Sequence, residues 1–284
     1  MGALLIGSEI DGAFTELHNG LQSATTEYAR RKWACIVPEY GPWLCFAPLL
    51  DEIDPRLIYF RPPRRGHLVD DPDILAIMAD FMAGDGRPAI AELPGEDTAW
   101  LPRPSDVAAV FRGAVDIIER SDAFTRRLYD QTVDYVVPLG GGRNRGFSTH
   151  LARGAVFRSL PEDNDAYDIA IDVIHEVGHQ VLMTWQSIDP ILTSDPAAPV
   201  YSEIRRVDRP AIQSFHAAVA LAFMRRLERT HPGDPLMQAA GLRRGASYSG
   251  TLSGSLELAL EVVRKACTFT EAGRQMIREM EAEV

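Results

Sequence analysis

Residues 163–185 read DNDAYDIAIDVIHEVGHQVLMTW, and this stretch decides the architecture of the second half of the chain. Its opening Asp163-Asn164-Asp165 supplies a capping side chain and an acidic first turn, which both favour a helix N-terminus. Apolar residues then recur at helical spacing, at Ile169, Val173, Ile174, Val177, Val181 and Leu182. The pattern predicts a helix that runs to about Trp185 and buries this apolar face.

The string His175-Glu176-Val177-Gly178-His179 lies in the middle of the predicted helix. Histidines at positions i and i+4 share one helix face, so both imidazoles can bind a single divalent ion at about 2.1 Å. Glu176 projects from the adjacent face, within reach of a metal-bound water. Gly178 costs a helix about 1 kcal/mol and permits close approach of another element, which favours a metal site over two packed core histidines.

A third ligand has to come from elsewhere in the chain. The metzincin extension is excluded, because it needs Gly and His where this chain has Leu182 and Trp185. Two candidates remain, His216 and Glu203. Small residues flank His216 in the segment 214–218 and would let its helix approach the motif helix closely, so His216 is the preferred ligand and Glu203 the alternative.

The two ligand sets predict different chemistry. With a carboxylate ligand on zinc and Glu176 as general base, the site would be that of a peptidase. Three neutral histidines leave up to three open positions on an octahedral ion, which suits ferrous iron with a chelating cosubstrate and dioxygen. An anionic cosubstrate needs a nearby arginine, and Arg205, Arg206 and Arg209 precede His216. A non-catalytic, metal-stabilised scaffold ranks last, since structural zinc sites usually have four protein ligands.

Several short stretches on both sides of the motif helix form, together with it, a series typical of a known family. They are Gly154-Ala155-Val156-Phe157, Tyr201-Ser202, Arg205, Arg209-Pro210, His216 and Phe269-Thr270-Glu271-Ala272-Gly273-Arg274. This series, over about residues 154–281, resembles the HExxH-motif peptide-modification proteins, which include 2-oxoglutarate- and iron-dependent peptide β-hydroxylases. Two departures are Ala217, where the family usually has Gly, and Glu203-Ile204 in place of Pro-Trp.

The resemblance implies β-hydroxylation of a side chain in a peptide substrate, in the maturation of a peptide natural product. It implies Fe(II) and 2-oxoglutarate as cofactors, with Glu176 hydrogen-bonded to a ligand or water. The residues implied as iron ligands are His175, His179 and His216. Those implied for binding the cosubstrate are Arg205, Arg209 and Tyr201. A zinc metallopeptidase with Glu176 as general base is the alternative. His150 and Tyr201 are further candidates for hydrogen bonds to substrate.

Composition narrows the class of protein. A chain of 284 residues with 46% apolar content is globular, and its net charge of -11 argues against nucleic acid as a partner. The three cysteines, Cys35, Cys45 and Cys267, have apolar neighbours and are predicted to be reduced. No signal-peptide pattern and no run of about 18 apolar residues occurs, so the sequence predicts a cytoplasmic protein without a membrane span and leaves its oligomeric state open.

The chain is predicted to be a single α+β domain, 1–284, that is mainly helical. Region 1–130 is predicted to be rich in loops and strands, with a small sheet and a long helix, and region 131–284 to bind the metal. The predicted strands are 33–37, 43–46, 57–60, 133–139 and 154–158, and the predicted helices are 73–82, 106–130 with a break near Ser121, 165–185, 210–229, 252–265 and 271–283. Strand 154–158 is predicted to be an edge strand that could receive an extended peptide.

Overall fold

The structure is a computed structural model, and it describes residues 14–17, 19–20, 67–68, 105–133, 135–139, 146–148, 154–159, 164–248 and 250–284. Its helices are α1 Ser105–Glu119, α2 Ala123–Thr132, α3 Ala166–Trp185, α4 Ala211–Thr230, α5 Pro235–Ala246, α6 Leu252–Ala266 and α7 Glu271–Glu281. Its strands are β1 His67–Leu68, β2 Tyr135–Leu139, β3 Gly146–Phe147, β4 Ala155–Ser159, β5 Pro199–Ser202 and β6 Val207–Pro210. The described part is mainly helical with small sheets, as predicted, whereas the predicted strands 33–60 and helix 73–82 fall outside it.

Local capping sets the ends of the helices. The predicted long helix is interrupted as expected, because the Ser121 hydroxyl donates to the carbonyl of Ile118 and Asp122 caps α2 by accepting from the Thr125 amide. The motif helix α3 begins with a capping box, in which the Asp165 side chain and the Asp168 side chain each accept from the other residue's backbone amide. Each of these polar contacts joins residues that are three positions apart, so the sequence alone predicts them.

Helix α3 lies at the centre of the described structure. It packs most extensively against α4 and also against α1. The six apolar residues predicted to face the core are all buried, with exposed fractions of 2% or less. A Cβ atom added to Gly178 would lie 3.2 Å from the Phe223 ring and 3.4 Å from the Cα of Ala220, so α3 and α4 approach each other closely beside His179.

A four-stranded sheet in the order β1-β2-β4-β3 lies beside α3. Strand β4 pairs in parallel with β2 along its whole length and in antiparallel fashion with β3 at Phe157 and Arg158. The prediction of an edge strand at 154–158 was therefore wrong. The stacked rings of Phe147 and Phe157, with centroids 4.5 Å apart, hold β3 against β4 and make β3 the outer strand.

Three features of the second half were not predicted. Strands β5 and β6 form a two-stranded antiparallel hairpin, in which Tyr201 pairs with Asp208. Pro210 ends β6 and caps α4, so it lies one position before the first turn where it was expected. Helix α5 begins at Pro235 after the N-cap Asp234. An aspartate followed by a proline is typical of a helix start, so the sequence did contain a signal for this helix. Among the described residues, no helix has the length and apolar character that crossing a membrane would require.

The contact at Gly178 yields a prediction about stability. Replacing Gly178 by Val should lower the free energy of unfolding by about 1–3 kcal/mol, because the added methyl groups meet Phe223 and Ala220 in a packed core. Gly178→Ala is the matched control: its gain in helix propensity, about 1 kcal/mol, offsets the tight contact of one methyl group with a ring. Urea unfolding of both variants measures the difference. A valine variant as stable as the wild type would contradict the close approach of α3 and α4.

Candidate metal centre

His175 and His179 face the same point beside α3. Their Nε2 atoms are 3.1 Å apart, and their rings meet edge to face with centroids 4.8 Å apart. Two nitrogens that each lie about 2.1 Å from one ion are separated by roughly 3.0–3.4 Å in octahedral or tetrahedral geometry. The separation of the two Nε2 atoms therefore matches that of two ligands of one divalent ion.

His216 on α4 lies on the other side of the His179 ring. Its Nδ1 is 3.2 Å from Nδ1 of His179, and its Nε2 is 3.0 Å from the Gln186 side-chain oxygen. Because an amide oxygen only accepts, His216 carries its hydrogen on Nε2 and keeps a lone pair on Nδ1. The close packing at Gly178 thus brings the preferred third ligand against the motif helix.

The three imidazole rings are adjacent, but their nitrogen atoms do not all point at one position. Within the described ranges, no three His, Cys, Asp or Glu side chains converge on a single point. His179 faces His175 with Nε2 and His216 with Nδ1. Rotation of the His216 ring out of its hydrogen bond with Gln186 is needed for three-histidine binding. In the arrangement as it stands, His216 can also accept from Nδ1–H of His179 and orient that ring.

Burial keeps all three imidazoles neutral. Burial lowers the pKa of His175 to about 3, with smaller contributions from Arg158 and Arg205. Burial also lowers the pKa of His216 to about 4, assisted by Arg209, and lowers the pKa of His179 well below its usual value. A metal ligand must be unprotonated, so these histidines are ready to bind a cation near neutral pH.

Glu176 lies beside the histidines and is buried. Its Oε1 is 3.9 Å from Nε2 of His175, and its Oε2 accepts a 2.7 Å hydrogen bond from the Ser148 hydroxyl. Burial raises the pKa of Glu176 to about 7, although Ser148, Arg158 and Arg205 partly oppose the shift. A carboxyl group with this pKa can take up or release a proton near neutral pH.

The hairpin β5–β6 carries the predicted cosubstrate residues. Tyr201 is 36% exposed, Arg205 is exposed and Arg209 is half-buried. Arg205 acts electrostatically on His175, Glu176 and His179, and Arg209 acts on His179 and His216. The hairpin therefore brings two positive charges close to the histidines.

The alternative ligand Glu203 lies in the turn between β5 and β6. It is 1% exposed, and burial raises its pKa. Of the two candidates, His216 is the one found in contact with the motif histidines. His150, the other candidate for a hydrogen bond to substrate, lies outside the described residues.

Four charged or polar residues near the centre were missed by the sequence reading: Arg158, Asp172, Arg244 and Tyr248. Asp172 on α3 forms ion pairs with Arg158 of β4 and Arg244 of α5. The only sequence signal was Asp172 itself, an acidic residue inside an otherwise apolar stretch one turn before the motif. Its arginine partners are distant in the sequence and could not be identified from it.

Comparison with models of known protein families gives no match for this chain, and comparison with curated proteins gives none either.

The raised pKa of Glu176 predicts that its ionisation lowers the free energy of unfolding, a penalty that depends on pH. Because the pKa is about 7 in the folded protein and 4.5 when unperturbed, the penalty is absent below about pH 4.5 and complete above about pH 7. Glu176→Gln should raise the free energy of unfolding of the metal-free protein by up to about 3 kcal/mol at pH 8 and little at pH 5. Urea unfolding at both pH values tests this.

Glu261→Gln is the matched control, because Glu261 is exposed on α6 and pairs with Lys265 in the following turn. An equal gain from both substitutions at pH 8 would count against a buried, unfavourably charged Glu176.

The positions of the histidines predict a hierarchy of metal affinity. His175→Ala and His179→Ala should abolish measurable binding of Fe(II) or Zn(II), because each removes half of the preformed pair. His216→Ala should weaken binding by more than about 100-fold if His216 is a ligand, since loss of an outer-shell partner costs about 10–100-fold. Competition titration with a chromophoric chelator gives the dissociation constants.

His231→Ala is the control, because His231 caps the far end of α4 and contacts Thr230 and Leu227 there. A loss of about 100-fold or less in His216→Ala would make His216 a residue that orients His179 and not a ligand.

Proposed function

We propose that this protein is an iron- and 2-oxoglutarate-dependent oxygenase that β-hydroxylates a side chain of a peptide substrate. His175, His179 and His216 would bind Fe(II), and Arg205 or Arg209, together with Tyr201, would bind the cosubstrate. The proposal combines the family resemblance of residues 154–281 with the charge of the centre. It implies a peptide and a small dicarboxylic acid as the two ligands.

The observation that carries the proposal is the positive charge around three neutral histidines. After burial, the groups that lower the pKa values of the three histidines are Arg158, Arg205, Arg209 and neighbouring histidines. The chain as a whole has a net charge of -11, so this local excess of arginine runs against its composition. A divalent ion on neutral ligands would add two more charges, and an anionic chelating cosubstrate would neutralise them.

The protein side chains would act by binding and orientation. A guanidinium group of the hairpin would form paired hydrogen bonds with the far carboxylate of 2-oxoglutarate. Glu176, held by Ser148, would accept from a ligand or water beside His175. The neutral state of the histidines keeps their lone pairs available at neutral pH.

Ferrous iron with 2-oxoglutarate and dioxygen would supply the oxidising chemistry, with one oxygen atom entering a C–H bond of the peptide and the other entering succinate as CO₂ leaves. This balance requires no further reductant, because decarboxylation of the cosubstrate provides two electrons and the C–H bond the other two.

A peptide could reach the centre along the outer strand of the sheet. Strand β3 is the last strand in the order β1-β2-β4-β3, and Ser148 follows it directly. The Ser148 hydroxyl donates to Glu176, so a strand added beside β3 would run close to the metal ligands. This edge replaces the one that was expected at 154–158.

A zinc peptidase is the second candidate, and one observation favours it. Glu176 has a pKa of about 7 and lies 3.9 Å from His175, which suits a general base for a metal-bound water. A peptidase would cleave a neutral amide and would have no evident use for the two arginines of the hairpin.

The test is anaerobic reconstitution of the purified full chain with Fe(II), followed by titration with 2-oxoglutarate. We expect a weak visible charge-transfer band that is absent in His216→Ala. Arg205→Gln or Arg209→Gln, whichever removes the anchoring charge, should raise the half-saturating concentration of 2-oxoglutarate about 10–100-fold, the usual cost of a charge-assisted hydrogen bond.

Arg206→Gln is the matched control, because Arg206 is the exposed neighbour of Arg205 in the same turn. Absence of a band in the wild type, together with tight Zn(II) binding and hydrolysis of peptides by the zinc form, would replace the oxygenase with the peptidase.

A further inference from the structure

Gln186 lies on the same side of α3 as the two motif histidines, at the C-terminal end of the helix. It follows His179 by two helical turns and is the C-cap residue of α3. Its side-chain oxygen is 3.0 Å from Nε2 of His216 on the neighbouring helix. Nothing in the proposed function uses this contact, although it ends a continuous series of polar contacts that begins at His175.

The series of contacts runs from α3 to α4 and back to α3. Nε2 of His175 is 3.1 Å from Nε2 of His179, and Nδ1 of His179 is 3.2 Å from Nδ1 of His216. The last contact joins Nε2 of His216 to Gln186. A neutral imidazole has one nitrogen that donates and one that accepts. The hydrogen positions of the three rings are therefore coupled, and a group with a fixed role at one end of the series sets all of them.

Gln186 provides that fixed role. Its side-chain oxygen only accepts, so the hydrogen of His216 lies on Nε2. Nδ1 of His216 then accepts from Nδ1–H of His179, which leaves a lone pair on Nε2 of His179. An amide turned to present its NH₂ group would reverse every hydrogen in the series. It would place a hydrogen on Nε2 of His179, where the ion has to bind.

His175 lies at the other end of the series. In the metal-free protein its Nε2–H donates to Nε2 of His179, and this hydrogen has to move to Nδ1 when an ion binds between the two atoms. The His175 side chain is 16% exposed, so water can carry out the exchange. The series thus has an adjustable end at His175 and a fixed end at Gln186.

The backbone that follows Gln186 is held by the start of α7, where the C-terminal stretch of the family resemblance lies. Oδ1 of Asp189 accepts from the Ile191 amide and from the Thr270 hydroxyl. Ile191 has a φ of 65°, which is strained for a β-branched residue, and a Cβ on Gly273 would collide with its carbonyl oxygen. Helix α7 therefore packs directly against this loop and holds the end of α3 in place.

We propose that Gln186 is a positioning residue that fixes the tautomers of His216 and His179 before a metal binds, so that His179 presents the lone pair of Nε2 to the ion. The inference goes beyond the proposed function, because it concerns the metal-free protein and applies to iron and zinc alike. It holds whether or not His216 afterwards joins the ion.

The experiment is long-range proton–nitrogen correlation NMR of the metal-free full chain at about pH 8, which distinguishes the two nitrogens of each neutral imidazole. We expect the hydrogen on Nε2 in His216 and on Nδ1 in His179. Gln186→Leu removes the acceptor and should leave a mixture of tautomers in both rings. Gln186→Glu keeps an acceptor oxygen and should restore the tautomers of the wild type.

A second background separates this effect from a general disturbance of the helix end. In His216→Ala, the further change Gln186→Leu should no longer alter the tautomer of His179, because the effect passes through the His216 ring. Gln275→Leu is the matched control. It makes the same substitution on α7, where Gln275 contacts Glu279 and Arg278, and it should leave both tautomers unchanged. Urea unfolding shows that each variant is folded.

Binding of Zn(II), measured by competition with a chromophoric chelator, gives a second result. Gln186→Leu should weaken binding about 3–10-fold. This is less than the roughly 10–100-fold cost of losing a direct outer-shell partner, because Gln186 acts on His179 through His216. Gln275→Leu should bind Zn(II) as the wild type does.

Three results would overturn the proposal. They are a hydrogen on Nε2 of His179 in the wild type, unchanged tautomers in Gln186→Leu, and Zn(II) binding by that variant that is unchanged or tighter, as expected if Gln186 only restrains His216. Failure of the oxygenase is read separately. The expected tautomers without an iron and 2-oxoglutarate band would reject the oxygenase and leave the role of Gln186 in place.

Discussion

The close approach of α3 and α4 at Gly178 is the constraint on which the rest of the centre depends. Without a side chain at this position, the Phe223 ring and the Ala220 backbone come to within 3.2–3.4 Å of where a Cβ would lie. Because His179 follows Gly178 directly and His216 lies one turn before Ala220, the same contact brings their Nδ1 atoms to 3.2 Å. The same contact between the two helices therefore packs the core and brings the site residues together.

The electrostatics of the centre follow from this packing. Packing three imidazoles between helices leaves them only partly exposed to water and makes their neutral form dominant. Burying Glu176 in the same place raises its pKa to about 7, so its protonated form is well populated near neutral pH. Arg158 of β4 and Arg205 and Arg209 of the hairpin act electrostatically on the histidines, and together they make an electropositive site in an acidic protein. Such a site is complementary to an anionic ligand.

The sheet and hairpin position groups that α3 cannot supply by itself. Strand β4 holds Arg158 against the motif helix, and β3 ends at Ser148, which donates to Glu176. The β5–β6 hairpin leads directly into α4 and so joins Tyr201, Arg205 and Arg209 to the helix that carries His216. Elements that are short and individually marginal thus supply most of the polar groups around the histidines.

Features that depend on neighbours within about one helical turn could be predicted from the sequence alone. These include the extent of α3, the cap at Asp165, the break near Ser121, and the pairing of His175 with His179. The sequence also singled out His216, through the small residues that surround it. Tertiary contacts, in contrast, set which nitrogen His216 presents to His179, place β4 inside the sheet, and bring Arg158 and Arg244 to Asp172. Those features depend on contacts between residues far apart in the sequence, and no local periodicity or spacing predicts such contacts.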